Sequence, residues 1–240
     1  MSRLRDEQGF TLHELLTAIA MSTIILLGAF GLLDTVMERT GETQARVDAT
    51  QRGRQALDVM TRQLRSQVCL GTAPAVADAS PNSVTFYTDM SDGSAALRNR
   101  IEKRVLTYDP ASRRILEAIY PPTGTDPISY AAAPSMTREL ARNVVPEEGE
   151  PSLFRYYAYT DGTVEQAPKP ELELTNPVEA DRARIVRIGI AFEVRAGRTG
   201  ELERGGIVLR DDVYVRAADP NNYTPNAPDP ANRAPRPICA

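Results

Sequence analysis

The chain contains few cysteines, one histidine and only two lysines. Its 240 residues include Cys69, Cys239 and His13. Two cysteines are too few for a disulfide-framework fold, and they match no CxxC metal or redox pair. Hydrolytic sites with a nucleophile and a base ordinarily recruit histidine, and a lone histidine has no partner for a Ser-His-Asp site or a metal site. We therefore predict that the protein is not an enzyme and holds no metal or cofactor.

The charge balance also narrows the class of partner. The net charge is −4 and the pI is near 5.3, whereas a nucleic-acid groove normally needs a basic face. We expect no nucleic-acid partner. Two acidic clusters are interpreted as solvated surface and a β-turn: Glu147, Glu148 and Glu150, and Asp89 with Asp92.

An apolar run follows a short polar start. No charge occurs from Leu15 to Leu33, and Glu14 is the one acidic residue between positions 10 and 33. About 20 mostly apolar residues suffice for a helix to cross the hydrocarbon core. The pattern predicts a transmembrane helix over residues 10–33. Arg3 and Arg5 favour a cytoplasmic N-terminus and a body outside the cytoplasm.

A polar helix is predicted to continue from the membrane over residues 34–70. This segment has no proline and many good helix formers. Leu57, Met60, Leu64 and Val68 recur at helical spacing, which indicates an apolar stripe that a core covers. An unbroken helix from about residue 11 to 70 would be roughly 90 Å long.

Two features of this segment bear on whether the helix is continuous: its glycines and its charge pairs. Gly41 and Gly53 are the positions that allow a bend or an interruption of the helix. Pairs with the acid four residues before the arginine support the helix: Glu42 with Arg46, Asp48 with Arg52, and Asp58 with Arg62.

The residue pattern of positions 71–217 is typical of a β-rich domain. Short runs of β-branched and aromatic residues alternate with Pro, Gly, Asp and Asn. Residues 137–145 are read as a short helix or a strand entry, and the last two strands as having one buried face because they alternate apolar and polar residues. The Pro-rich residues 218–240 are expected to form a tail. The strand predictions are Ser83–Asp89, a hairpin over 104–120 turning at Asp109–Ser112, Leu153–Tyr159, Arg184–Ala196 and Gly206–Ala217.

The stretch GFTLHELLTAIAMSTIILLGAFGLL, residues 9–33, resembles the class III leader and transmembrane start shared by type IV pilins, type II secretion pseudopilins and competence pseudopilins. The resemblance implies that a prepilin peptidase removes residues 1–9 by cutting after Gly9. It also implies N-methylation of the new terminal amine at Phe10. Glu14, the fifth residue of that mature chain, is expected to meet the terminal amine of a neighbouring subunit and so direct assembly.

The resemblance extends more loosely over the body. QRGRQALDVMTRQLRSQ, residues 51–67, and the strands after it are similar to minor pseudopilins of the J type and to pilins of the PilW type. They imply an α+β pilin-like fold, in which a long N-terminal helix with a transmembrane first half packs on an antiparallel β-sheet.

The function implied is a minor pilin or pseudopilin, an assembly subunit of a type IV pilus or a type II secretion pseudopilus, with the filament tip as its expected position. Its partners would be other pilin or pseudopilin subunits, the prepilin peptidase, the inner-membrane assembly platform and, before assembly, membrane lipid. It would be a single-pass inner-membrane protein with an extracytoplasmic C-terminal domain, and later a component of the pilus or pseudopilus. The alternative is a membrane-tethered adhesin or binding protein that uses a pilin leader.

The sequence leaves two states open for the two cysteines. Outside the cytoplasm, a single bridge between Cys69 and Cys239 is chemically permitted. The other reading is a buried Cys69 and a free Cys239, and the sequence does not choose between them.

Overall fold

The computed structural model describes residues 11–70, 73–89, 101–123, 129–159, 171–196 and 206–215. The predicted leader, Phe10, Cys239 and the predicted tail lie outside these residues. Within them, two helices and ten antiparallel strands make an α+β structure, as predicted. The chain divides into two compact units, Met1–Ala45 and Arg46–Ala240.

Helix α1 spans Leu12–Arg65. It ends where Ser66 donates both its N–H and its hydroxyl to the Gln63 carbonyl, at 3.0 and 2.8 Å. Neither Gly41 nor Gly53 interrupts it, although both glycines allow an interruption. Of the predicted surface pairs, Asp58 and Arg62 lie 3.6 Å apart with both side chains well exposed.

The part of α1 after Arg46 packs on the β-rich body with small side chains first and large ones later. Ala49 and Ala56 are buried, and Met60 and Leu64 have no exposed surface. The predicted stripe is therefore confirmed at Met60 and Leu64, whereas Leu57 is only half-buried. The small residues extend the buried stripe toward the N-terminus at helical spacing.

Gly53 lies at the closest approach of α1 to the sheet. A Cβ at this position would lie 2.5 Å from Val194 Cγ2 and 2.7 Å from Leu209 Cδ1. A glycine inside a helix costs about 1 kcal/mol relative to alanine, so its presence in a buried stripe has a packing reason. Here the missing side chain gives the helix backbone room against the strand residues.

The first sheet is an antiparallel meander in the order β1-β2-β3-β4-β5. Its hairpin between β3 and β4 turns at Asp109–Ser112, as predicted. Asp109 holds the turn because its carboxylate accepts the Ala111 N–H at 3.0 Å and the Ser112 hydroxyl at 2.5 Å. The strands are β1 Val76–Ser80, β2 Ser83–Asp89, β3 Ile101–Asp109, β4 Arg114–Tyr120 and β5 Met136–Arg142.

The second sheet has the order β10-β9-β7-β8, and the short strand β6 pairs with β9. The expectation of one sheet is therefore incomplete, since the described strands form two. Residues 137–145 contribute β5 and β6, which decides between the helix and strand readings in favour of strand. The strands are β6 Val144–Val145, β7 Phe154–Tyr159, β8 Glu171–Leu174, β9 Ile185–Val194 and β10 Ile207–Tyr214, with the short helix α2 Glu179–Arg182 before β9.

Strand β9 differs from the expectation of one solvated face, because it is buried on both faces along nearly its whole length. Its core face carries large apolar residues such as Ile190 and Phe192. Its outer face carries Gly189, where a Cβ would lie 3.1 Å from Asp212 Oδ1 and 3.5 Å from Tyr157 Cε2. Short residues on this face lie beneath the longer side chains of the flanking strands, so alternation in sequence does not produce alternation in exposure.

The two sheets are joined by hydrogen bonds around the turn between β1 and β2. The Tyr156 hydroxyl donates to the carbonyls of Ser80 and Ser83 at 3.0 and 2.9 Å, and burial raises the pKa of this tyrosine. The N–H groups of Leu153 and Phe154 both donate to the Pro81 carbonyl at 3.0 Å. One core, formed by both sheets and the buried stripe of α1, results.

Candidate functional site: an exposed apolar helix and its polar start

The first part of α1 presents apolar side chains on every side. Every residue from Thr11 to Thr40 is exposed, and this helix is long and apolar enough to cross a membrane once. A helix that is apolar all round is stable where lipid or other helices cover it. Large exposed side chains include Leu12, Leu15, Leu16, Ile19, Met21, Ile24, Ile25, Leu26, Leu27, Phe30, Leu32 and Leu33.

A reciprocal capping box organises the polar start of this helix. The N–H and hydroxyl of Thr11 donate to the same Glu14 oxygen, Oε2, at 3.1 and 3.0 Å. The Glu14 N–H donates in turn to the Thr11 hydroxyl at 3.3 Å. Two of the N-terminal groups that a helix leaves unsatisfied are thereby paired. Because both contacts from Thr11 use Oε2, they leave Oε1 of Glu14 open to a group approaching from outside the helix.

Thr11 is a residue that the sequence analysis missed, although its signal was present. A threonine followed three residues later by glutamate, just before an apolar run, is the signature of a capping box. Gly9 and Phe10 lie outside the described residues, so cleavage and N-methylation at these positions stay predictions. The assembly role of Glu14 also stays a prediction, since the hydrogen bonds described for its carboxylate come from Thr11 of the same helix.

Hydroxyl groups within the apolar stretch are satisfied by the helix itself. Thr17, Thr23 and Thr35 each donate to the carbonyl four residues earlier, at 3.1, 2.8 and 3.0 Å. An unpaired hydroxyl in an apolar medium costs several kcal/mol, roughly 4 to 8 on a water-to-cyclohexane scale. These threonines therefore add little to the cost of placing the helix in lipid.

In the body, the first sheet buries a cluster of charges on its core face. Glu117 is fully buried between Arg104, which donates to Oε1 at 2.8 Å, and Arg138, which donates to Oε2. Arg104 also pairs with Glu102 at 2.6 Å. Each buried charge has a partner of opposite sign, so the cluster is suited to holding β3, β4 and β5 together. The sequence analysis did not identify it, because its members are distant in the chain.

A second ion network spans the outer face of the second sheet. Arg187 donates to Glu171 at 2.6 Å and to Asp212 at 2.7 Å, and its guanidinium lies 3.6 Å from the centroid of the Tyr157 ring. The Tyr214 hydroxyl also donates to Glu171, at 3.3 Å. Arg187 on β9 therefore contacts one side chain on each of three other strands, β7, β8 and β10, and connects the four strands across the face of the sheet.

Aromatic side chains surround Lys103 on the outer face of the first sheet. Its Nζ lies 4.4 Å from the Tyr120 ring centroid and 5.6 Å from that of Tyr130, and Tyr130 stacks on Tyr87. Burial, reinforced by the neighbouring Tyr87, raises the pKa of Tyr130 to about 12. The Tyr130 hydroxyl therefore stays protonated at neutral pH, and its position beside a lysine does not make it a base.

The other carboxylates considered from the sequence lie in separate places. Glu147 pairs with Arg210, and Glu150 pairs with Arg155 at 3.1 Å. Asp92 lies outside the described residues. Across the described ranges, no group of three or more His, Cys, Asp or Glu side chains is placed to hold a metal ion.

Cys69, just beyond the end of α1, is engaged in a disulfide. It is half-buried and packs against the core. Cys239 lies outside the described residues, and the pairing of Cys69 with Cys239 stays a prediction.

No protein-family model matches the chain, and no curated protein matches it. What is shown is an α+β protein with one N-terminal helix long and apolar enough to span a membrane.

Proposed function

We propose that the chain is a minor pilin or pseudopilin, an assembly subunit of a type IV pilus or a type II secretion pseudopilus with the pilin-like fold. After cleavage behind Gly9 and methylation of Phe10, it would remain in the inner membrane through residues 10–33 with its body outside the cytoplasm. Other pilin-like subunits, the prepilin peptidase and the assembly platform are its partners.

One observation carries this proposal. Residues 12–33 of the motif lie in a helix whose apolar side chains stay exposed on every side, while the same helix contributes its later part to the core of a folded body. An anchor needs only the apolar stretch. A helix that is at once an anchor and a core element suits a subunit whose apolar helices bundle in lipid and then form the centre of a filament.

The start of α1 supports an assembly role for Glu14. A carboxylate at the edge of an apolar stretch is costly in lipid and normally persists because it finds a partner. Thr11 occupies Oε2, and cleavage behind Gly9 would create a positive amine one residue before Thr11. The amine of a neighbouring subunit would neutralise the remaining charge of Glu14 and set the position of one helix against the next.

Assembly is tested by isolating filaments from cells that contain the complete machinery. We expect the wild-type chain in the sheared filament fraction and in complexes with other pilin-like subunits. Glu14→Gln keeps the size of the side chain but removes its charge, so it should leave cleavage intact and reduce incorporation at least tenfold. Glu38→Gln, a substitution in the same helix beyond the membrane stretch, is the control for cleavage and membrane insertion.

Two results would contradict the proposal. Normal incorporation of Glu14→Gln would remove the role of its charge in assembly. A processed chain that reaches the surface without any other pilin-like subunit would instead favour a tethered adhesin or binding protein.

A further inference from the structure

Two glutamine side chains at the end of α1 are buried without hydrogen-bond partners. Gln63 and Gln67 are only 2% and 4% exposed. Within the described part of the chain, Gln63 Oε1 and both amide atoms of Gln67 form no hydrogen bond. A buried amide that has left water and gains no hydrogen bond destabilises a fold, so nearly all such groups in proteins have a partner. These atoms therefore form a site that offers two acceptors and one donor group.

The chain beside Gln67 places this site next to a disulfide. Gln67 lies opposite Thr88 in an antiparallel bridge, and the Val68 N–H donates to the Tyr87 carbonyl at 3.0 Å. Cys69, two residues further on, packs against the core and is engaged in a disulfide. Two residues of chain span at most about 7 Å, so the unpaired amide and the disulfide are close neighbours.

We propose that the amides of Gln63 and Gln67 bind the main chain of residues 238–240, at the C-terminal end of the same chain. These three residues lie outside the described ranges. Cys239 is the only cysteine besides Cys69, so a disulfide within the chain brings its neighbours to the site. The inference goes beyond the proposed assembly function and does not rest on it.

The end of the sequence carries the groups that this site needs. Pro235 and Pro237 have no N–H, so the backbone donors near the C-terminus are concentrated in residues 238–240. Two of these N–H groups can donate to the two glutamine oxygens, and a main-chain carbonyl can accept from Gln67 Nε2. The chain between residues 215 and 239 extends over as much as roughly 80 Å, so its length does not prevent this return.

The proposal couples the glutamine amides to the redox state of the disulfide. Hydrogen bonds that form only while residues 238–240 are tied to the site stabilise the oxidised chain relative to the dithiol. Removal of the Gln67 amide should therefore make the disulfide easier to reduce. If buried water satisfied the amides instead, their removal would not change the redox equilibrium.

The first measurement is the redox equilibrium of the purified full-length chain in detergent. One molecule of dithiothreitol reduces the disulfide to two thiols and becomes a cyclic disulfide, and alkylation with mass spectrometry gives the oxidised fraction. Gln67→Leu keeps the approximate size of the side chain, and it should shift the equilibrium toward the dithiol about tenfold because hydrogen bonds are lost. Gln55→Leu, the same change at an exposed position of α1, is the matched control and should leave the equilibrium unchanged.

Gln63→Leu is the second variant, in case Gln67→Leu does not fold. It removes one of the two acceptors, so it should shift the equilibrium in the same direction by a smaller factor. An equilibrium that is unchanged in both variants would overturn the proposal. A disulfide-linked dimer on non-reducing electrophoresis would overturn it as well, because a second copy would then supply the bond.

Urea unfolding separates binding of the C-terminus from a general effect on the fold. In Cys239→Ser, kept reduced, residues 238–240 are no longer tied to the site, and ordering them costs more than a few hydrogen bonds return. The Gln67 amide is then unpaired, so Gln67→Leu should not lower the urea midpoint in this background. In the oxidised chain with Cys239, the same substitution should lower it. An equal loss in both backgrounds would overturn the proposal, because the partner of Gln67 would then be independent of the C-terminus.

Discussion

The close approach at Gly53 gives the sharpest test of the packing between α1 and the sheets. In Gly53→Ala, two effects oppose each other. Alanine stabilises a helix interior by about 1 kcal/mol relative to glycine. The new Cβ, however, would lie 2.5 Å from Val194 Cγ2 and 2.7 Å from Leu209 Cδ1, and overpacking a core typically costs 1 to 3 kcal/mol.

Which effect is larger depends on which neighbour can move. Leu209 Cδ1 is the end of a flexible side chain and can rotate away. Val194 is β-branched, stiff about χ1, and buried. We therefore expect Gly53→Ala to lower the free energy of unfolding by about 1 kcal/mol, the difference between a cost near 2 and a propensity gain near 1.

The measurement is urea unfolding of the full chain in detergent, followed by far-ultraviolet circular dichroism. Val194→Ala removes the clashing methyl group, so the double variant should be more stable than the sum of the two single effects by about 1 kcal/mol. Gln55→Ala, at an exposed position of the same helix, is the control and should change stability little. If Gly53→Ala is more stable than the wild type by the full propensity gain, the proposed close contact is wrong.

Three further predictions concern the body. Glu117→Ala leaves buried arginine charge without its main partner and should lower the free energy of unfolding in urea by about 3 kcal/mol. Glu139→Ala, whose ion pairs are more exposed, should lower it by less than about 1 kcal/mol. Equal losses in the two variants would refute a stabilising role for the cluster. The pKa of Tyr130 is raised to about 12, so the folded protein holds more protons than the unfolded chain between pH 10 and 12. The free energy of unfolding should therefore fall as pH rises through this range. A phenolate absorbance titration in which all tyrosines ionise near pH 10 would contradict this prediction. Non-reducing peptide mapping should recover Cys69 linked to Cys239, and a free thiol at Cys239 would exclude that bridge.

Local signals in the sequence predicted much of the helix and most strands. The apolar run acts within its own segment, so a membrane-length helix was predicted from it, whereas the equally local capping pattern from Thr11 to Glu14 was missed. The stripe of Met60 and Leu64 and the turn at Asp109 were predicted for the same reason.

The remaining features depend on contacts between distant parts of the chain. Two sheets form because β6 and β7 pair with β9 and leave β5 at the edge of the first sheet. The sequence analysis identified Gly53 only as a position that allows a bend or an interruption, whereas its close approach to Val194, far away in sequence, gives it a packing role. The partners of Glu117 come from two other strands. The short strands β1 and β8 were missed because their sequences, VADAS and ELEL, have a weak β-pattern.

The proposal that this chain enters the pilin pathway is tested most directly by the mass of its N-terminal peptide. The protein would be purified from membranes of cells that express their own prepilin peptidase, and compared with a Gly9→Val variant as the uncut control. The proposal predicts a mature chain that begins at N-methylated Phe10, with cleavage lost in the variant. A chain that still begins at Met1, or one cut beyond Leu33, would contradict it.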